Sequence, residues 1–473
     1  MSYIGIPPFG NTVRSVTNVV ATASQTTFNI TGGYVIGYVD VFLNGVLLTP
    51  SDYTATDGLT VVLNTGASAS DEFQAVSYQP VSIANVLPIT GGTVSGDVTI
   101  ASGNTLKTNT ILDASGGNTT TINGATPTAY NTMGKNRIIN GAMEIAQRGT
   151  SAVTANAGFP VDRMSIASTD VTKYQVQQSS VAPSGFRNSL LATSLSSYSI
   201  SASDQFLIYQ RVEGYTVADL MFGTSDAKVF TVSFWVRSSV TGNYAASIQN
   251  GAYDRSYPFS YTINAANTWE KKSVTITADT TGTWNYDNQR GLGLHFSLGT
   301  GSDNEGTLNQ WQSGNKLSYS GATSLVATSG ATFYITGVQL EVGSVATEFE
   351  RRPYGTELAL CQRYFQKSYN QTETAGTNTQ VGVIRFQGAT DSSNNLVGTI
   401  YFKVNMRTTP TMTYYAQGGT SGVWNARTAA VNTTYTMTTL SAGECNTQAF
   451  ATNLGTAFYP GFTYGHYTAS AEL

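Results

Sequence analysis

The sequence predicts an all-β chain, and three observations carry that reading. Apolar and polar residues alternate strictly in several segments, the period of a half-buried strand. Gly, Asn and Asp punctuate those segments at turn spacing, with 47 glycines in 473 residues. Charged residues make up only 11% of the chain, against about 25% in an ordinary soluble domain.

Residues 1–85 read as a small β-domain. Tyr38 to Leu43 and Val46 to Thr49 flank Asn44-Gly45, a pair whose tolerance of positive φ suits a two-residue hairpin. Asp57-Gly58 precedes the alternating Leu59, Val61 and Leu63.

Residues 86–135 change character. Between Thr93 and Gly124 the large apolar residues are Val94, Val98, Ile100, Leu106, Ile111, Leu112 and Ile122, too few to enclose a core. The segment is either a disordered linker or a slender stalk made stable by packing on copies of itself. The spacing of Val98 and Ile100 and the turn-like Ser115-Gly116-Gly117 favour a stalk of short strands.

Strand signals return over 136–355. Phe230, Val232, Phe234 and Val236 alternate with polar partners and Trp235, and Leu292, Leu294, Phe296 and Leu298 alternate with Gly293, His295, Ser297 and Gly299. Phe333, Ile335, Val338, Leu340 and Val342 continue the pattern, which predicts a two-sheet jelly-roll sandwich with His295 on the solvent side. Residues 356–370 form a helical connector: Leu358, Cys361 and Phe365 share a stripe, Thr356 can cap the N-terminus, and Glu357 suits its positive end. The predicted helix covers Glu357 to Tyr369. Residues 371–473 form a C-terminal β-sandwich in which Ile400, Phe402, Val404 and Met406 predict one strand ending before Pro410.

Composition excludes several functions. A net charge of -4 offers no basic field for nucleic acid. No run approaches the roughly 18 apolar residues of a membrane span, so no membrane insertion is expected. The opening MSYIGIPPFGN lacks a basic stretch followed by an apolar run, so no secretory signal is expected either. Cys361 and Cys445 lack disulfide or zinc spacing and read as buried thiols compatible with a reducing cytoplasm.

Catalytic signals are weak. The histidines are His295 and His466, and neither belongs to a nucleophile or metal motif. Asp303 and Glu305 could pair as glycosidase carboxylates, yet GTGSDNEGTLNQ reads as a solvated loop, or at best a weak Ca²⁺ site. Glu341, Glu348, Arg351 and Arg352 are expected to hold the helix junction. No cofactor, metal site or catalytic residue is expected. Aromatics are the better candidates, because Tyr and Trp join a flat apolar face to a polar edge as sugar recognition requires. The candidate binding set is Tyr414, Tyr415, Trp424, Tyr435, Tyr459, Tyr464, His466 and Tyr467 in the last domain, with Trp284, Tyr286 and Trp311 in the sandwich, all expected in loops.

Several stretches resemble the tail fibres and receptor-binding proteins of tailed phages. LPITGGTVSGDVTI at 87–100 is similar to a Gly-Thr repeat of fibre shafts. NRIINGAMEIAQRGTS at 136–151 and VQLEVGSVATEFERRPYGTELALCQRYF at 338–365 resemble the opening and closing of a carbohydrate-binding-module-like jelly roll in phage proteins. VNMRTTPTMTYY at 404–415 and the terminal SAEL resemble the distal domain that often follows. One departure is Asp162-Arg163-Met164, where the family carries an aromatic third residue.

The resemblance implies an elongated homotrimeric fibre in the virion, assembled in the host cytoplasm. Residues 1–85 would attach to the phage tail or an adaptor protein, and the distal end would bind a host surface glycan or outer-membrane protein. The expected role is adhesion without catalysis. The alternatives are a tailspike-type glycan depolymerase and a static tail component without host contact.

Overall fold

The computed structural model describes residues 12–80, 134–388, 396–427, 432–451 and 461–473, and its strand ladders are antiparallel. The expected stalk and Tyr459 lie outside the described residues. All-β is the fold class found.

Residues 12–80 contain β1 (Thr12–Val20), β2 (Gln25–Asn29), β3 (Val39–Leu43), β4 (Val46–Leu47), β5 (Tyr53–Thr54), β6 (Thr60–Ala67) and β7 (Glu72–Pro80). One sheet runs β1-β7-β3-β4 and the other β2-β6-β5. Asn44 at φ 48° and Gly45 at φ 79° make the expected hairpin between β3 and β4. Phe28 and Phe73 stack at 3.9 Å in the core of this unit.

The remaining described residues form a second unit. Its sandwich holds β8 (Ser165–Ser168), β9 (Tyr174–Ser179), β10 (Ser189–Ser194), β11 (Gln205–Glu213), β12 (Phe230–Ser238) and β13 (Gly242–Asn250). It continues with β14 (Arg255–Ile263), β15 (Glu270–Ile276), β16 (Arg290–Thr300), β17 (Gln312–Ser313) and β18 (Thr332–Val342). A five-stranded sheet, β15-β12-β18-β10-β9, packs on a six-stranded one, β17-β14-β13-β16-β11-β8. The apolar phases of β12, β16 and β18 meet between them: Phe230, Phe234, Leu292, Leu294, Phe333 and Ile335 are all buried. Apolar burial of this extent is the main driving force for the sandwich.

The two stretches that resemble a jelly roll's opening and closing meet in space. Asn136 Nδ2 donates to the Val338 carbonyl at 3.1 Å, and Arg137 N donates to the Leu340 carbonyl at 2.8 Å. A Cβ on Gly141 would press on the Val338 carbonyl at 2.1 Å, so glycine permits this approach. Met164, the third residue of Asp162-Arg163-Met164, is buried in the core.

The connector departs from expectation. The helix spans Tyr354–Gln362 and begins after Pro353, not at a Thr356 cap. It stops early because Phe365–Lys367 forms β19, paired to the final strand. Arg352 binds Glu357 at 3.2 Å and Glu350 at 3.5 Å, holding the junction as expected, while Glu341 instead accepts from Thr347 and Glu348 is exposed.

Beyond β19 lie β20 (Ile384–Gly388), β21 (Leu396–Tyr401), β22 (Thr411–Tyr415), β23 (Val423–Arg427), β24 (Asn432–Ala442), β25 (Asn446–Ala451) and β26 (Gly461–Ser470). They form one sheet ordered β19-β26-β23-β24-β25-β21, with β20 and β22 also on β26. The strand expected through Met406 ends at Tyr401. There the Gln366 amide replaces a neighbouring strand, accepting from Lys403 N at 2.8 Å and donating to the Val404 carbonyl at 2.6 Å. Cys361 is buried, but Cys445 is exposed at the turn between β24 and β25, correcting the expectation of two buried thiols.

Candidate functional site

The distal aromatics are placed on strands, not in loops, and most face inward. Trp424 on β23 is fully buried, packs on Phe386 at 4.9 Å and donates from Nε1 to the His466 carbonyl at 2.8 Å. Gly465 makes room for it, since a Cβ there would lie 2.3 Å from Trp424 Cδ1. Tyr414 is buried and hydrogen-bonded with Thr439 at 2.9 Å. Tyr467 is buried too, and burial pushes its hydroxyl up to about 12.

His466 is stacked on Tyr369 at 3.9 Å, with Nδ1 bonded to Ser368 at 3.0 Å and Nε2 to the Thr379 carbonyl at 3.1 Å. Tyr415, Tyr435 and Tyr464 are half-buried. An antiparallel pair buries one phase of each strand, and here that phase holds the largest rings. The expectation of a loop-borne aromatic surface in this domain is therefore corrected.

In the sandwich, Trp284 and Trp311 close one edge of the core. They lie 5.5 Å apart, both against Phe222, and each indole N–H donates to a main-chain carbonyl. Tyr286 is exposed, with its hydroxyl bonded to the Phe222 carbonyl. Asp303 is exposed within the single turn Ser302–Asn304, and Glu305 bridges to Ser318. Among the described residues no group of three or more His, Cys, Asp or Glu is arranged to hold a metal.

A different surface draws polar and aromatic groups together, on the outer face of the six-stranded sheet. Register builds it. Tyr209 on β11 lies opposite His295 on β16, which lies opposite Ser247 on β13. One step along, Arg211, Gly293 and Gln249 form the next row. The missing side chain at Gly293 leaves a trough, and the Arg290 guanidinium lies across it: a Cβ there would stand 2.7 Å from both Arg290 Nη2 and His295 Cε1. The segment around Asn315 and Leu317 walls the trough, tied down by Gln249 Nε2 to Asn315 Oδ1 at 2.5 Å and Ser247 Oγ to the Lys316 carbonyl at 2.6 Å. The result is a depression of about 280 Å³.

His295 does occupy the outward phase of β16, but it is 3% exposed because Tyr209, Leu317 and Arg290 surround it. The expectation of a solvent-facing histidine is corrected. Burial, then the positive charges of Arg290 and Arg211, hold its imidazole well below the usual range, so it is neutral near pH 7. Tyr253 stands at the rim, 39% exposed, with its ring centroid 3.6 Å from the Arg290 guanidinium. Its φ of 62° is left-handed, a conformation that a bulky residue adopts only where surrounding structure enforces it.

Sequence reasoning weighed His295 and passed over Tyr209, Arg211, Gln249, Tyr253 and Arg290. One signal was present: RGLGLHFSL places two glycines and a histidine on the outward phase of a strand whose inward phase is wholly apolar. Small residues there mark a face that something else approaches.

No family model and no curated protein matches the chain. Solved structures similar to it include the enzymatically active domain of bacteriophage CBA120 tailspike protein 4, with TM-score 0.24 and 13% identity over 44% of this chain and 21% of that one. TmCBM61 in complex with β-1,4-galactotriose gives TM-score 0.23 and 11% identity, over 44% of this chain and 99% of that one. A family 11 carbohydrate-binding module of a Clostridium thermocellum cellulosomal cellulase gives 0.22 and 12%, over 42% and 98%. The chain thus spans about a fifth of the tailspike domain and nearly all of the two modules.

Proposed function

We propose that this chain is an adhesion subunit of a phage tail fibre, and that the trough on the six-stranded sheet binds a host-surface saccharide. The observation that carries the reading is the convergence on one outward face of Tyr209, Tyr253 and Asn315 around a depression, with the buried Gln249 holding Asn315 in place. Ring faces match the C–H faces of a sugar, and amides match its hydroxyls. The sequence resemblance of 87–100, 136–151 and 338–365 to phage fibre proteins supplies the setting.

Binding without cleavage fits this site. Hydrolysis of a glycosidic bond takes two carboxylates flanking the scissile bond, and the lining of the trough includes no Asp or Glu. Residues 1–85 would attach the fibre to the virion, and three chains would join through 86–135. Weak single contacts then multiply by avidity, about 10²–10⁴ for linked sites.

The test is an array of purified bacterial surface polysaccharides probed with the full chain. Retention on a subset of them, lost on Tyr253→Ala without loss of folding, is expected. Absence of binding to every polysaccharide would refute the reading. Light scattering should give three times the 50.2 kDa chain mass, and a monomer stable to dilution would refute the trimer.

A further inference from the structure

Resting on the saccharide-binding reading above, we infer that the trough selects a sugar bearing an anionic group, a carboxylate or a phosphate, held by Arg290 and Arg211. Arg290 is 7% exposed, yet no Asp or Glu pairs with it among the described residues. Its Nη2 donates to Gln249 Oε1 at 3.3 Å, while its Nε and Nη1 have no partner. Arg211 Nη1 donates to the main-chain oxygen of Leu473 at 2.6 Å, and its Nε is buried without one. His295 Nδ1 is likewise buried and unpartnered.

Other buried guanidiniums of this unit are compensated, and the contrast supports the inference. Arg137 pairs with Asp219, Arg255 with Asp279, Arg352 with Glu357, and Arg363 with Glu213. Arg148 and Arg163 share Glu472. Arg407, without a carboxylate, donates to three main-chain oxygens, those of Ala471, Asn288 and Glu472. Arg290 has neither kind of compensation, only the Tyr253 ring at 3.6 Å and the Gln249 amide at 3.3 Å.

A buried charge is costly unless it is paired and hydrogen-bonded. Burial draws the Arg290 guanidinium down to about 10, so it remains a cation at neutral pH. The free N–H groups are buried beneath Tyr253, so an acceptor reaches them only as that ring shifts. An anionic oxygen group supplies both acceptors and charge, in the geometry that a guanidinium fork favours. The neutral His295 adds no competing charge, and the absent side chain at Gly293 is what lets the guanidinium lie beside it. Tyr253, over the same guanidinium, would then take the sugar ring.

The experiment uses the full chain and matched probes. Polygalacturonate and polysialic acid are each compared with their carboxyl-reduced products, and a phosphorylated mannan with its dephosphorylated form. At least one anionic probe should bind, its neutral twin should be weaker by about thirtyfold or more, and added salt should weaken the anionic complex. Which twin pair responds identifies carboxylate or phosphate. Arg290→Gln should reproduce the loss, whereas Arg290→Lys should retain part of the affinity.

Equal binding of twins by the unaltered chain overturns the inference while sparing the saccharide-binding reading, and needs no variant to fold. So does full affinity in a folded Arg290→Gln. If no probe binds, anionic or neutral, the inference fails, and the polysaccharide array then decides whether the broader reading fails with it.

Discussion

Arg363, just past the helix, donates to both carboxylate oxygens of Glu213, the last residue of β11, at 2.9 and 2.5 Å. Tyr364 adds its hydroxyl to the same carboxylate at 2.7 Å. The Glu213 side chain is 2% exposed, so this fork ties the sandwich to the sheet that follows it through a water-poor junction.

Glu213→Ala should therefore lower stability by about 3 kcal/mol, because it strands a guanidinium and a hydroxyl together. Arg363→Ala should cost less, since that side chain is 32% exposed and Tyr364 still binds the carboxylate. Denaturant unfolding of both single variants and the double variant checks this. Additive losses would show the fork to be unimportant.

The same junction has a pH signature at Asp162. Burial pushes its carboxyl up to about 6, against the pull of Arg148 and Gln147 and with a further push from Glu472. Between about pH 4 and 6 the folded chain holds a proton that the unfolded chain has released. Stability from this group is thus present at the acid end and falls as pH rises through that window. Asp162→Asn, which cannot ionise, should gain in Tm relative to the unaltered chain on going from pH 4.5 to 7. A parallel pH dependence of the two would contradict the assignment.

Tyr253 should separate folding from recognition. Tyr253→Asn removes the ring and places at φ 62° a residue that tolerates left-handed backbone. Relieved strain and the lost contact with Arg290 oppose each other, so stability should stay within about 1 kcal/mol. Saccharide affinity should nevertheless fall by about tenfold or more. Calorimetry beside a binding titration reads both.

Trp424 should behave oppositely. Trp424→Ala opens a cavity in the distal core and should cost about 3–5 kcal/mol, and Gly465→Ala should also destabilise by driving a methyl group into the indole. Any loss of adsorption in either variant should track unfolding. Loss of adsorption with an unchanged melting curve would restore Trp424 as a contact residue.

The two thiols should differ in access. Iodoacetamide should modify Cys445 in the native chain, and Cys361 only after denaturation, because Cys361 is buried and burial raises its thiol well above the usual range. A thiol reductant should leave the melting temperature unchanged.

The sequence by itself determined the all-β class, the hairpin at Asn44-Gly45 and the buried phases of β12, β16 and β18. Each is written in a local period or a local backbone preference, so neighbours along the chain suffice to read it. The tertiary structure alone decided the rest. The distal tyrosines and Trp424 have the composition of a binding surface, but whether an aromatic faces inward depends on which strands cover it, and β26 with its neighbours covers these. The helix ends at Gln362 because β19 pairs with a strand about a hundred residues away. The trough exists because register brings Arg211, Gly293 and Gln249 from three strands into one row, and because Arg290 folds across the space that Gly293 leaves. Pairing between distant strands carries no local period, so those residues become a site only when the sheet forms.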